Sequence, residues 1–200
     1  MKTHDLHEEH DQHHEDPASK TLFGFWIYIM TDAILFATLF ATYAVLHHNT
    51  YGGPGIGQVA CLPHVFIQTL VFLVSSVTYG LSFAAFHSAR KKQFMLWLGI
   101  TFLLGLGFLG MQMHEFANIL HSGYSWQSSA FLSTYFTLMG IFSIHVVMAL
   151  VWILILALQT SMQGLSLAMK TRFTCLGFFW NFLNLMWIVT FTIVYLMGAN

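Results

Sequence analysis

Apolar residues in this chain fall into five long runs, at about 22–46, 64–87, 94–117, 131–158 and 173–197, with short polar or turn-prone segments between them. A helix rises about 1.5 Å per residue and the hydrocarbon of a bilayer is about 30 Å thick, so about 20 residues suffice to cross it. Each run is long enough, and the pattern predicts an all-α, polytopic membrane protein with five transmembrane helices in residues 21–200. The breaks agree with it. Gly52-Gly53-Pro54-Gly55 interrupts the chain after the first run, and Pro63 suits the first turn of the second. Arg90-Lys91-Lys92 parts the second from the third, residues 123–129 are polar and turn-prone, and residues 163–172 close the fourth.

Residues 1–20 are different. They hold six of the eight acids (Asp5, Glu8, Glu9, Asp11, Glu15 and Asp16) and five histidines (His4, His7, His10, His13 and His14), with almost no apolar content. Such a segment cannot offset the entropy of ordering and reads as a disordered tail. With no apolar run it is not a cleavable signal peptide, so the first span must direct insertion. Its histidines could take up a metal, but nothing in their spacing fixes a geometry.

Composition narrows the class further. Charged residues make up 8% of the chain and hydrophobic residues 56%, against about 25% charged in soluble domains. A net charge of −1 leaves no electrostatic footprint for nucleic acid. All seven Lys and Arg fall on one side of a five-span arrangement: Lys2 and Lys20 in the tail, Arg90, Lys91 and Lys92 after the second span, Lys170 and Arg172 after the fourth. By the positive-inside rule the N-terminus is cytoplasmic and the C-terminus lies on the far side, which is periplasmic if the membrane is a bacterial plasma (inner) membrane. Cys61 and Cys175 then lie near opposite faces, beyond disulfide reach.

Ionisable groups inside spans are costly and often mark function. Asp32 and His145 come out near the midplane, as do Asn181 and Asn184, about 12 to 20 Å from the basic side. Gln68, Gln112 and Glu115 fall in the outer third, Gln112 and Glu115 three apart on one helix face. Two such polar layers read either as a proton or ion path using Asp32 and Glu115, in a small transporter or channel, or as interhelical hydrogen bonds that fix packing. No comparable acid or histidine occupies the inner third, which favours packing. His114 and His145 lie at different depths, so a bis-histidine haem within this chain is not expected. No catalytic, cofactor or metal residue is assigned. Gly105-Leu106-Gly107-Phe108-Leu109-Gly110 matches a dinucleotide fingerprint in letters only, since no strand precedes it; it reads as close helix packing through small residues. Trp26, Trp97, Trp126 and Trp180 sit toward span ends, as interfacial anchors do, while Trp152 and Trp187 lie deeper and read as packing or lipid-facing.

A set of motifs spread over all five spans resembles subunit III of the haem–copper terminal oxidases. It comprises Phe23-Gly24-Phe25-Trp26-Ile27-Tyr28, Leu39-Phe40-Ala41-Thr42-Tyr43, Ser75-Ser76, Gly105 to Gly110 with Glu115-Phe116, His145-Val146, and Trp180 to Phe182 with Tyr195-Leu196-Met197-Gly198. The five-span form resembles that of bo-type ubiquinol oxidases, where the long form has seven helices. The resemblance implies a subunit without a redox site, beside a larger catalytic subunit I that carries haem and copper, together with subunits II and IV, ubiquinone and bound phospholipid. It implies a role in assembly and stability. This chain departs from the family at Cys61, where an acid is usual. Phe142 and Ser143 replace a histidine and a glycine, and Asn181 and Asn184 stand where His and Asp are usual. Asn keeps hydrogen bonds while losing charge, so packing roles survive better than proton handling.

Overall fold

A computed structural model describes residues 17–50, 62–88, 90–124, 126–164 and 167–196. The described residues form five helices: α1 (Pro17–Leu46), α2 (Leu62–His87), α3 (Lys91–His121), α4 (Ala130–Gln163) and α5 (Leu167–Thr190), the last extended by a π-helical turn, Phe191–Leu196. All five are long and apolar enough to cross a membrane. Helices suit that environment because each peptide group is satisfied within its own segment. Side chains follow the same rule: Thr31, Thr42, Thr137 and Thr192 return their hydroxyls to the carbonyl four residues back at 2.8–3.0 Å. These threonines face outward at no hydrogen-bonding cost to the lipid side.

The helices outrun the expected limits by a few residues at most ends. Pro17 opens α1, so residues 17–20, placed by sequence in the disordered tail, form its first turn; proline needs no donor there. Residues 1–16 and the break at 51–61, including Cys61, lie outside the described residues; Cys175 is a buried free thiol. Ser129 caps α4 by accepting from Leu132 N at 3.2 Å. Gly164, at φ 73°, ends α4 in a conformation that favours glycine.

The helices α4 and α5 are the hub. The first touches α1, α3 and α5, the second α1, α2 and α4, while α2 and α3 make the most extensive pair. The α2–α3 seam carries small polar residues one turn apart: Ser75, Thr78 and Ser82 are buried, and the Thr78 hydroxyl meets that of Thr101 at 2.9 Å. Small side chains of this kind bring membrane helices close. The basic residues gather at one end of the bundle. There Lys91 Nζ donates to Ser161 O at 3.0 Å, and Arg172 to Gln159 Oε1 at 2.9 Å.

Between the hub and α2–α3 lies an aromatic interior. Phe72 stacks on Phe108 at 4.4 Å, Trp187 meets Phe108 edge-on at 4.7 Å, and Phe142 lies 5.2 Å from Trp187. Phe36 joins from α1, 6.2 Å from Phe142. All five side chains are fully buried.

Trp180 departs from its expected place at the membrane surface. It has no exposure and packs against Phe72 at 5.6 Å. The reason is Gly105, opposite it on α3: a Cβ there would come within 2.7 Å of Leu150 Cδ2 and 2.9 Å of Trp180 Cη2. The expectation of close packing at the glycine cluster therefore holds for Gly105 alone, because Gly107 and Gly110 face open space. Trp187 is likewise interior, whereas Trp26 and Trp126 are exposed as anchors should be.

Gly105→Ala overpacks this contact and is expected to destabilise the chain by about 1–3 kcal/mol. Gly107→Ala should stay within about 0.5 kcal/mol of the parent. Unfolding of the two variants in mild detergent checks the difference, and equal stability would refute the role given to Gly105.

Candidate functional site

The buried polar groups assemble into separate clusters. The first joins α1 to α4. Asp32 Oδ2 lies 3.8 Å from His145 Nε2, both side chains being about nine-tenths buried. His145 Nδ1 donates to Ile141 O at 2.8 Å, which commits that nitrogen's proton. Nε2 therefore faces the carboxylate, at a separation longer than a hydrogen bond. Phe36 and Phe179 flank the imidazole at 5.3 and 6.3 Å, and Tyr28, one turn before Asp32, interacts with the carboxylate.

The second cluster sits at the end opposite the basic residues. Gln68 Nε2 donates to Gln112 Oε1 at 2.7 Å, tying α2 to α3. Glu115 Oε1 accepts from Tyr135 at 3.0 Å and from Tyr195 at 3.3 Å, and the two hydroxyls are 3.1 Å apart. Tyr43 donates to Val194 O at 3.4 Å and Trp187 Nε1 to Thr69 at 3.0 Å. The cluster thus draws on all five helices. His64 also lies here, its ring 6.2 Å from that of His114.

The sequence places Asp32, His145, Asn181 and Asn184 in one layer, but only the first two form a pair. Asn184 is buried and donates to Trp180 O, one turn back on its own helix. Asn181 is exposed on the outer face of α5, where its Oδ1 accepts from Ser76 at 2.8 Å. Gln68, Gln112 and Glu115 do lie buried in one region, though Glu115 bonds to tyrosines instead of glutamines. Those tyrosines were not among the expected contacts, nor was Tyr79, which donates to Phe173 O at 2.7 Å. Their signal was available: a tyrosine inside an apolar run that buries its ring must also find a partner for its hydroxyl. Among the described residues, no three His, Cys, Asp or Glu side chains converge as a metal site would require.

Five spans, two buried polar clusters and an aromatic interior define an integral membrane protein of the helical-bundle class. The family model for cytochrome c oxidase subunit III matches residues 3–199, and the chain belongs to that family, the third subunits of haem–copper respiratory oxidases. It is 48% identical to cytochrome bo(3) ubiquinol oxidase subunit 3 of Pseudomonas aeruginosa, over 98% of this chain and 93% of that protein. A bo(3) ubiquinol oxidase subunit 3 from Buchnera aphidicola is 36% identical over 97% of this chain and 95% of its own. Cytochrome c oxidase subunit 3 of a Bacillus species is 39% identical, over 88% of this chain and 84% of that one.

Because Asp32 and His145 share one buried interaction, removing one partner should cost more than removing both. Asp32→Leu is expected to destabilise by about 1–3 kcal/mol, and Asp32→Leu/His145→Leu by less. Tyr135→Phe should cost about 0.6 kcal/mol, the usual worth of a hydrogen bond between membrane helices, since Tyr195 still reaches Glu115. Detergent unfolding of these variants decides both points, and additive losses at Asp32 and His145 would refute the pairing.

Proposed function

We propose that this chain is the non-redox third subunit of a bacterial respiratory ubiquinol oxidase. In that complex, quinol oxidation and reduction of oxygen to water are coupled to proton translocation. Its basic end would face the cytoplasm, with the N-terminus inside and the C-terminus in the periplasm, as the location of the lysines and arginines supports. Haem and copper would sit in the larger catalytic subunit, and ubiquinone would bind elsewhere in the complex. The chain would stabilise its partners, subunits I, II and IV, from the side and hold phospholipid. The observation that carries this reading is the 48% identity, over nearly the full length of both chains, to a protein named as a ubiquinol oxidase subunit 3.

The competing reading, a transporter or proton channel through Asp32 and Glu115, meets an obstacle inside the bundle. Along α1 the order is Asp32, Phe36, Tyr43; along α4 it is Tyr135, Phe142, His145. The fully buried rings of Phe36, Phe72, Phe108, Phe142 and Trp187 therefore lie between the two polar clusters. Aromatic carbon offers no hydrogen-bonded relay, so the arrangement suits packing better than conduction.

Purification of the membrane complex in mild detergent tests the proposal. The chain should travel with haem absorbance and quinol oxidase activity, and its deletion should lower the yield of assembled oxidase. A chain that runs apart from every haem protein, or oxidase that consumes cytochrome c and ignores quinol, would overturn it.

A further inference from the structure

Asn181 is the one amide or charged side chain that is exposed at mid-span among the described residues. It stands 12 residues from the start of its span at Met169 and 15 from its end at Leu196, about 18 and 22 Å of helix. The outward threonines have spent their hydroxyl protons on their own backbone. Asn181 has not: its oxygen accepts from Ser76, and among the described residues its two N–H groups meet no partner. Donors left bare in hydrocarbon are unfavourable, and membrane proteins pair such groups with neighbouring protein.

The surroundings are shaped to match. Asn181 lies at the edge of a groove of about 180 Å³ between α2 and α5, also lined by Tyr79, Gly80, Phe83, Thr174 and Gly177. Gly80, on the rim, has nothing within 4 Å of where a Cβ would stand, so another backbone can approach closely there.

We propose that this groove is the docking face for a transmembrane helix of another oxidase subunit, one that presents a hydrogen-bond acceptor to the Asn181 amide. A phospholipid does not fit the requirement. Its ester carbonyls sit at the interface, and its acyl chains, which alone reach mid-bilayer depth, carry no acceptor. The inference rests on the subunit reading above and adds to it which face is covered and by what chemistry.

The test uses the assembled complex, with the ratio of this chain to haem as readout. Gly80→Leu projects into the groove from a position whose Cβ would meet nothing within 4 Å, so it should leave the chain folded and lower its retention by roughly fivefold or more. Asn181→Leu should lower retention, and Asn181→Gln should restore it. Gly107→Leu, equally open but on α3, should behave as the parent; near-ultraviolet circular dichroism confirms that each variant is folded. If the parent chain stays with haem while Gly80→Leu and Asn181→Leu are retained equally well, the docking face lies elsewhere and the subunit reading stands. If the parent is not retained at all, both fail. Two further results would overturn the helix as occupant: loss of bound quinone with full retention in Asn181→Leu, and disulfide linkage of two copies through Asn181→Cys.

Discussion

A polar group inside a bilayer has no water to fall back on, and this constraint arranges the whole bundle. Backbone groups meet it through helices. Most hydroxyls meet it through their own helix, as Thr160 does with Leu156 O at 2.8 Å. The groups that cannot do so alone are the ones that bind helices together. Glu115 needs Tyr135 and Tyr195, Trp187 needs Thr69, and Tyr79 needs Phe173 O. Each of these pairs spans two helices, and together they link α2, α3, α4 and α5. Association of membrane helices has no water-driven term to lean on, so such contacts and close packing set the arrangement.

Close packing here turns on an exchange of volume between α3 and α5. Gly105 gives up its side chain, and the indole of Trp180 occupies the space. The same indole braces Phe72, which stacks on Phe108, which in turn meets Trp187. A single missing methyl group on α3 thus lets the aromatic interior close. That interior is also what divides the polar groups in two, leaving Asp32–His145 on one side and the Glu115 cluster on the other.

Much of this was legible in the chain itself. Run lengths, charge asymmetry and turn residues reveal five helices and their limits to within a few residues. Depth along their helices puts Asp32 and His145 in one layer near the midplane, but it does not single them out as a pair. Depth alone misplaces Asn181, because it fixes height along the helix and says nothing of direction around it. At 100° per residue, Asn181 and Asn184 are separated by about 60°, enough to turn one outward and the other inward. Trp180 was misread for a related reason: indoles near span ends are common at interfaces, and only the glycine facing it on another helix shows that this one points in. Neither fact resides in the local sequence of α5. Both depend on which helices are neighbours, which periodicity does not encode.

The two asparagines also show how substitution of charge can be absorbed differently at two places on one helix. Buried Asn184 satisfies its amide nitrogen on Trp180 O, so the loss of a carboxylate there needs no second chain. Among the described residues, exposed Asn181 satisfies only its oxygen, through Ser76. An imidazole at that position would present a ring nitrogen outward; an amide presents two donors. Either way the outer face of α5 carries a polar group that five helices do not enclose. A bundle complete in itself would have a threonine or an apolar residue there, as its other outward positions do. At Asn181 the described residues offer the amide nitrogen no acceptor, at mid-membrane depth and across a groove from a glycine that leaves room for one.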